Sequence, residues 1–237
     1  MATQTHAARS PGDRPLYTWA AVATVAVVFI GFARSYYLKG AFGAPALPAL
    51  VHLHGLVMTL WFVLFVVQAR LVAAHRVDLH RRLGIAGAAV AALVFVVGIW
   101  TAISAAARGV SPGPPPLVFL VVPLGDMLVF ATLAGAGLLL RRRGDYHKRL
   151  MLLASVGMLT AAFARIPLDL VAAGGLPLFF ALNDLLVLAC VGYDTMKNRR
   201  LHPAFGWGVL LIVLSQPLRL LLAGTDGWMQ FASWLVR

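Results

Sequence analysis

The stretch that decides the fold is residues 145–150, Asp-Tyr-His-Lys-Arg-Leu, which repeats residues 78–83, Asp-Leu-His-Arg-Arg-Leu. Each copy follows one long apolar run and opens the next. A weaker copy, residues 200–203 (Arg-Leu-His-Pro), holds the same position between two later runs. Basic turns between apolar runs are typical of membrane hairpins, because Lys and Arg collect in cytoplasmic loops. The sequence therefore predicts repeated helical hairpins, each with a histidine in its turn.

The composition points to a membrane rather than to water. The chain of 237 residues is 61% hydrophobic with a mean hydropathy of +0.86, whereas soluble domains are about 45–50% apolar. The net charge of +12 would suggest nucleic acid in a soluble protein. Here the basic residues cluster between apolar runs, so we interpret them as topology signals and contacts to anionic lipid at the cytoplasmic face. Cys190 is the one cysteine, which excludes an intrachain disulfide.

Seven apolar runs approach the roughly 20 residues that one membrane helix requires. They predict an all-α protein with seven transmembrane helices, arranged as one helix plus three helical hairpins. Residues 1–16 form a polar N-terminal tail, residues 17–223 the transmembrane domain, and residues 224–237 a short extracytoplasmic tail whose tryptophans suit an interfacial helix. The predicted spans are 17–37, 48–73, 83–106, 116–140, 149–172, 177–196 and 205–223.

Lys and Arg counts predict the orientation in a bacterial inner membrane. The N-terminus and the turns after spans two, four and six hold fourteen of the 20 basic residues, and the opposite side holds four. The positive-inside rule then places the N-terminus in the cytoplasm and the C-terminus outside. The larger group is Arg9, Arg14, Arg70, Arg76, Arg81, Arg82, Arg141, Arg142, Arg143, Lys148, Arg149, Lys197, Arg199 and Arg200, and the smaller is Arg34, Lys39, Arg108 and Arg237.

Ionisable side chains inside the spans predict a polar cavity in the outer half of the bundle. Such groups are costly in a membrane and usually pair with one another or serve a function. Arg165 and Asp169 are spaced to pair on one helical face. The set reads either as a structural salt-bridge network or as a pocket for a ligand, a proton or a metal. Its members are His54, Asp126, Arg165, Asp169, Asp184, Gln216 and Arg219.

Two cofactor sites are candidates. His80 and His147 open spans three and five at the same depth and could be the axial ligands of one b-type haem, with Arg81, Arg82, Lys148 and Arg149 beside its propionates. The other reading of these histidines is interfacial helix caps that touch lipid. At the outer side, a zinc or copper ion could bind to imidazole and carboxylate ligands. That metal set is His52, His54, Asp126 and Asp184.

The segments 52–58 (His-Leu-His-Gly-Leu-Val-Met) and 79–84 (Leu-His-Arg-Arg-Leu-Gly), with Gln68 between them, resemble a group of bacterial multi-pass membrane proteins without an established activity. The later stretch 193–208 is similar to the second half of the same group. The histidine at a helix start also distantly resembles membrane b-type cytochromes, although this chain lacks their four paired histidines. The resemblance implies a multi-pass membrane fold.

Three functions follow from these patterns. The first is a cofactor- or metal-binding membrane protein with a redox or respiratory accessory role. The second is a transporter or ligand-binding protein that uses the outer cavity, and the third is a metal-dependent membrane hydrolase. The sequence leaves the substrate, any enzymatic activity and the oligomeric state open.

Overall fold

The computed structural model describes residues 14–237, and every regular element in that range is helical. The helices are α1 (Arg14–Phe32) with a π-helical continuation (Ala33–Tyr37), α2 (Ala49–Ala73), α3 (Val77–Ala107), α4 (Pro116–Phe119), α5 (Val121–Leu139), α6 (Gly144–Val156), α7 (Thr160–Phe163), α8 (Asp169–Asn198), α9 (Pro203–Leu222) and α10 (Asp226–Leu235). The all-helical class predicted from the sequence is confirmed.

Six of these helical segments are long and apolar enough to cross a membrane. They correspond to the first, second, third, fourth, sixth and seventh predicted spans. The predicted boundaries err mainly where charged residues extend a helix beyond its apolar run. Predicted span 83–106, for example, is only part of α3, which begins at Val77 and includes the whole first basic turn. Of the predicted N-terminal tail, residues 1–13 lie outside the described residues, and 14–16 belong to α1.

The predicted fifth span, 149–172, is not one helix, so the seven-helix prediction is not confirmed. The chain forms α6, leaves helical geometry around Gly157, resumes briefly as α7, and then runs irregularly to Leu168. Pro167 removes a backbone donor and disfavours helix for the residue before it, which accounts for the final break.

This broken segment is nevertheless central to the bundle. Side chains on both sides of the break are buried, including Leu152, Val156, Leu159 and Phe163. Helices α1, α5, α8 and α9 pack around it. Because its neighbours are protein rather than lipid, the segment tolerates the polar and small residues that interrupt its apolar run.

The broken segment runs beside α1 in the same direction. Lys148 lies over the ring of Tyr17 at one end, with its ammonium 5.4 Å from the ring centroid. Further along, Gly31 meets the backbone of Ala162 so closely that a Cβ at position 31 would overlap the Ala162 carbonyl. The α6–α7 segment therefore stays beside α1 over most of the length of α1.

Helix α8 also contains a break. Gly175 has φ +57° and ψ −158°, a conformation that favours glycine, and it separates the first turns of α8 from the part that follows Pro177. The predicted sixth span, 177–196, matches the part after the break. Beyond α9, the tail forms α10, and Trp228 donates from Nε1 to the carbonyl of Leu117 at 2.8 Å. This bond ties the tail to the start of the α4–α5 segment.

Candidate functional site

The three histidine-bearing turns meet at one end of the bundle. The rings of His80 on α3 and His147 on α6 are 6.1 Å apart between centroids, with an angle of 77° between their planes. His202, which precedes α9, lies 3.2 Å from a carboxylate oxygen of Asp145 through Nε2 and packs edge-on against Tyr146. The second turn therefore contacts both of the others, which the repeat in the sequence does not reveal.

Each histidine of the first pair has its Nδ1 against a protein group. Nδ1 of His147 lies 2.8 Å from the carbonyl oxygen of Gly137. Nδ1 of His80 accepts from the side-chain N–H of Gln68, whose oxygen accepts from the N–H of Gly84 at 3.1 Å, so His80 carries its ring hydrogen on Nε2, and only His147 has its Nδ1 against a carbonyl. An imidazole that donates from one nitrogen to a carbonyl leaves the other nitrogen as its lone-pair donor, the arrangement seen in metal-bound histidines.

A buried ion pair joins α6 to α8 at the same end. Arg149 donates from Nε and Nη2 to both carboxylate oxygens of Asp194, at 2.9–3.0 Å, and the two side chains are 5% and 0% exposed. The Arg149 guanidinium also lies over the ring of Phe205. Arg149 is therefore committed to Asp194 and cannot serve a haem propionate, which corrects that prediction. Arg81 and Arg82 remain exposed.

Sequence reasoning overlooked Asp194, although it lies inside the predicted sixth span. A carboxylate there needs a cationic partner, and the basic turns offered one. What the sequence could not give is which of the many arginines would reach it.

The hydrogen bonds at this end change the pKa of Asp145. Partial burial alone would raise the pKa of Asp145, but the hydrogen bond from His202 and those from the backbone N–H groups of Tyr146 and Asp145 outweigh it and lower the pKa. His202 accepts from the N–H of Ala204 at Nδ1, so its Nε2 carries the proton donated to Asp145. The histidine thus caps α9 and joins it to α6.

A second polar region lies deeper in the bundle, between α5 and α9. Arg219 donates to a carboxylate oxygen of Asp126 and to the carbonyl of Val122, and it is further bonded to Ser215. The stem of Arg219 crosses α5 at Gly125, where a Cβ would overlap its Cδ. Asp126 and Arg219, two members of the predicted cavity set, therefore come together as an ion pair.

Asp184 and Gln216, also predicted for the cavity, join the same region. Gln216 donates to Asp184 at 2.8 Å across α8 and α9. The neighbouring Asn183 is 1% exposed and accepts from the N–H of Leu159 at 3.2 Å. Asn183 thereby satisfies a backbone donor that the break between α6 and α7 leaves free.

His54, Arg165 and Asp169 lie apart from that region. The prediction that Arg165 and Asp169 pair on one helix is wrong, because α7 ends at Phe163, residues 164–168 are not helical, and no ion pair joins the two side chains. Arg165 bonds instead to the carbonyl of Ala161 and lies 4.8 Å from the ring centroid of Phe32. Arg165 lies within electrostatic range of His54, and the buried Nδ1 of His54 has no hydrogen-bond partner.

The four residues of the predicted outer metal site are not gathered. His52 faces Tyr36, and Asp126 and Asp184 are bonded to Arg219 and Gln216. Within residues 14–237, no group of three or more His, Cys, Asp or Glu side chains is placed to hold a metal ion. Helix α2 begins at Ala49 and includes both His52 and His54, and residues two apart on a helix point to different sides.

No protein-family model matches this chain, and no curated protein or solved structure matches it either.

Proposed function

We propose that the chain is a seven-pass inner-membrane protein in which the broken α6–α7 segment makes the fifth crossing. The parallel register of this segment with α1, from Tyr17 beside Lys148 to Gly31 beside Ala162, supports a full crossing. The basic turns at the histidine end support a cytoplasmic location for that end. The N-terminus then lies in the cytoplasm and the C-terminus outside.

The proposed activity is binding of one redox cofactor, a b-type haem, between His80 and His147. The observation that carries the proposal is the juxtaposition of two imidazoles from different helices. Their ring centroids are 6.1 Å apart. Two imidazoles that share one metal have centroids roughly 6 Å apart, because each metal–nitrogen bond is about 2 Å long and each nitrogen lies about 1 Å from its ring centroid. The main-chain bond from His147 to Gly137 leaves Nε2 of that ring as the donor.

Other residues at this end have defined parts in that proposal. Gln68 orients the His80 ring by donating from its side-chain N–H to Nδ1, so binding of iron at Nε2 of His80 would require this amide to turn over and accept from Nδ1. Arg81 and Arg82 are exposed beside His80 and suit the propionates. A bound haem would supply one-electron chemistry, which fits a respiratory accessory role. The rival, transport through Asp126 and Asp184, is disfavoured because both carboxylates already have partners.

The test is the absorption spectrum of detergent-purified protein produced in haem-supplemented cells. We expect a Soret band that shifts on reduction and is lost in His80→Ala and in His147→Ala. His52→Ala removes an exposed histidine at the opposite end and should leave the band unchanged. A colourless wild-type protein, or a band that survives both inner substitutions, would show that this pair does not bind haem.

A further inference from the structure

A small cavity lies between α1 and α2 in the half of the bundle away from the histidine turns. Its volume is about 100 Å³, well above the roughly 10–15 Å³ that one water molecule needs on the same measure. Apolar side chains line it apart from one polar corner, where the hydroxyls of Tyr37 and Thr59 bond to each other at 2.8 Å. Phe29 and Val63 at its edge are each 47% exposed, so the cavity borders the outer surface of the bundle.

Arg165 lies above the end of this cavity. Val25, Val28 and Phe29 line the cavity from α1, and Phe32 continues the same helical stripe one turn further on. The guanidinium of Arg165 stacks on the Phe32 ring at 4.8 Å. The cation and the apolar cavity therefore share one side of α1.

Arg165 differs from the other arginines inside the bundle in having no acidic partner. Arg149 is paired with Asp194 and Arg219 with Asp126, while no carboxylate in residues 14–237 lies within ion-pair distance of Arg165. Its one hydrogen bond goes to the carbonyl of Ala161, and the side chain is exposed. Charged groups at membrane depth are usually paired, so an exposed arginine without an acid calls for an anion from elsewhere.

The surroundings favour an anion with phosphate chemistry. His54 lies within electrostatic range of Arg165 and has a ring nitrogen without a hydrogen-bond partner, and Lys39 follows at the same end of α1. The planar guanidinium binds phosphate through paired N–H donors. Asp169, the nearest acid along the chain, forms no bridge with it.

We infer that Arg165 binds the phosphate of a membrane phospholipid, with part of one acyl chain in the cavity between α1 and α2. The cavity is too small for a headgroup and suits a short length of hydrocarbon. Stacking on Phe32 holds the guanidinium beside the helix that lines the cavity. The site is independent of the histidine end, so it stands whether or not haem binds there.

The experiment is native mass spectrometry of the purified full chain after exchange into mixed micelles that contain phosphatidylglycerol. We expect one retained lipid on the wild type and about a 10-fold or greater weakening in Arg165→Gln, because a charge-assisted contact to phosphate is lost. Arg34→Gln, an exposed cation at the same end that lies over Phe42, is the matched control and should retain the lipid. Equal retention by Arg165→Gln and the wild type would overturn the inference.

Two further arms separate the headgroup from the chain. Val63→Phe fills the cavity without touching Arg165, so it should also weaken lipid retention, and unchanged retention would show that no acyl chain enters there. Inorganic phosphate alone should raise the thermal stability of the wild type far less than the lipid does. If inorganic phosphate matches the lipid in an Arg165-dependent way, the site binds a free anion and the phospholipid proposal is wrong. Thermal unfolding of Arg165→Gln and Val63→Phe checks that each variant remains folded.

Discussion

The histidine end and the α5–α9 region both contain buried charges, but they use them differently. Between α5 and α9, Asp126 and Arg219 neutralise each other, and Asp184 is bonded to Gln216. At the histidine end the charges of Arg149 and Asp194 are paired as well, yet His147, whose Nδ1 faces the carbonyl of Gly137, retains Nε2 for a further ligand. Charged side chains that pair inside the bundle stabilise the fold, whereas a polar atom that has no partner after this pairing indicates a candidate binding site.

The largest expected effect comes from breaking the ion pair at the histidine end. Arg149→Met leaves the carboxylate of Asp194 buried at 0% exposure without its partner, and we expect a loss of about 3–5 kcal/mol in the free energy of unfolding. The measurement is equilibrium unfolding in detergent. The double variant Arg149→Met/Asp194→Leu is the control and should recover most of the loss, since it leaves no charge unpaired.

If Arg149→Met unfolds like the wild type, this pair does not hold α6 against α8. Retention of the Soret band in the double variant would further show that the pair supports the fold and is not part of the cofactor site.

A smaller effect tests the α5–α9 region. Gly125→Ala places a Cβ against the stem of Arg219, and overpacking of this kind costs about 1–3 kcal/mol. Gly135→Ala is a matched control on the same helix, because its Cβ would meet nothing within 4 Å. The control should be neutral or stabilising by up to about 1 kcal/mol, since alanine favours helix. Equal stability of the two variants in thermal unfolding would contradict the close crossing of Arg219 over α5.

The sequence was sufficient to predict most helices, because a membrane span is recognised by one property, its apolar length. Predicted span 48–73 differs from α2 by a single residue at its start. One continuous helix over residues 149–172 was predicted wrongly, because apolar length does not show whether a segment is surrounded by other helices, where breaks are tolerated. Within this apolar run the helix ends at Val156, next to Gly157, and again at Phe163, shortly before Pro167, and Asn183 on another helix compensates for the first break.

The candidate sites were predictable only in part, because hydropathy does not specify which helices are neighbours. The sequence predicted that Asp126 and Arg219 share one polar region, because ionisable groups inside spans usually pair, and that His80 and His147 lie at the same depth. The capture of Asp194 by Arg149 rather than by another turn arginine depends on how α6 and α8 pack. The isolation of Arg165 depends on the break at Pro167, which turns a predicted ion pair into an arginine without an acid.

The smallest expected effect concerns pH at the histidine end. The pKa of Asp145 is lowered in the folded protein, because the bonds from His202 and the backbone outweigh the opposing effect of partial burial. A carboxylate with a lowered folded pKa contributes stability at pH values above its unfolded pKa, and the contribution disappears as the pH falls through the folded pKa. Asp145→Asn should therefore lower stability slightly at pH 7, and the difference from the wild type should vanish in acid below the usual carboxyl range of about pH 4.

The size of this effect follows from exposure. The Asp145 side chain is 58% exposed, so solvent screens its interaction with His202 and the expected loss is at most about 0.5 kcal/mol. The charges that face it come from its own helix, through Arg149 bonded to the Asp145 carbonyl, and from His202 before α9. Thermal unfolding of the variant and the wild type between pH 3.5 and pH 7 measures it, with Asp78→Asn, the equivalent acid of the first turn, as control. A difference that grows toward acid would mean that Asp145 is destabilised rather than stabilised in the fold, and the bond to His202 would then not be what joins the second and third turns.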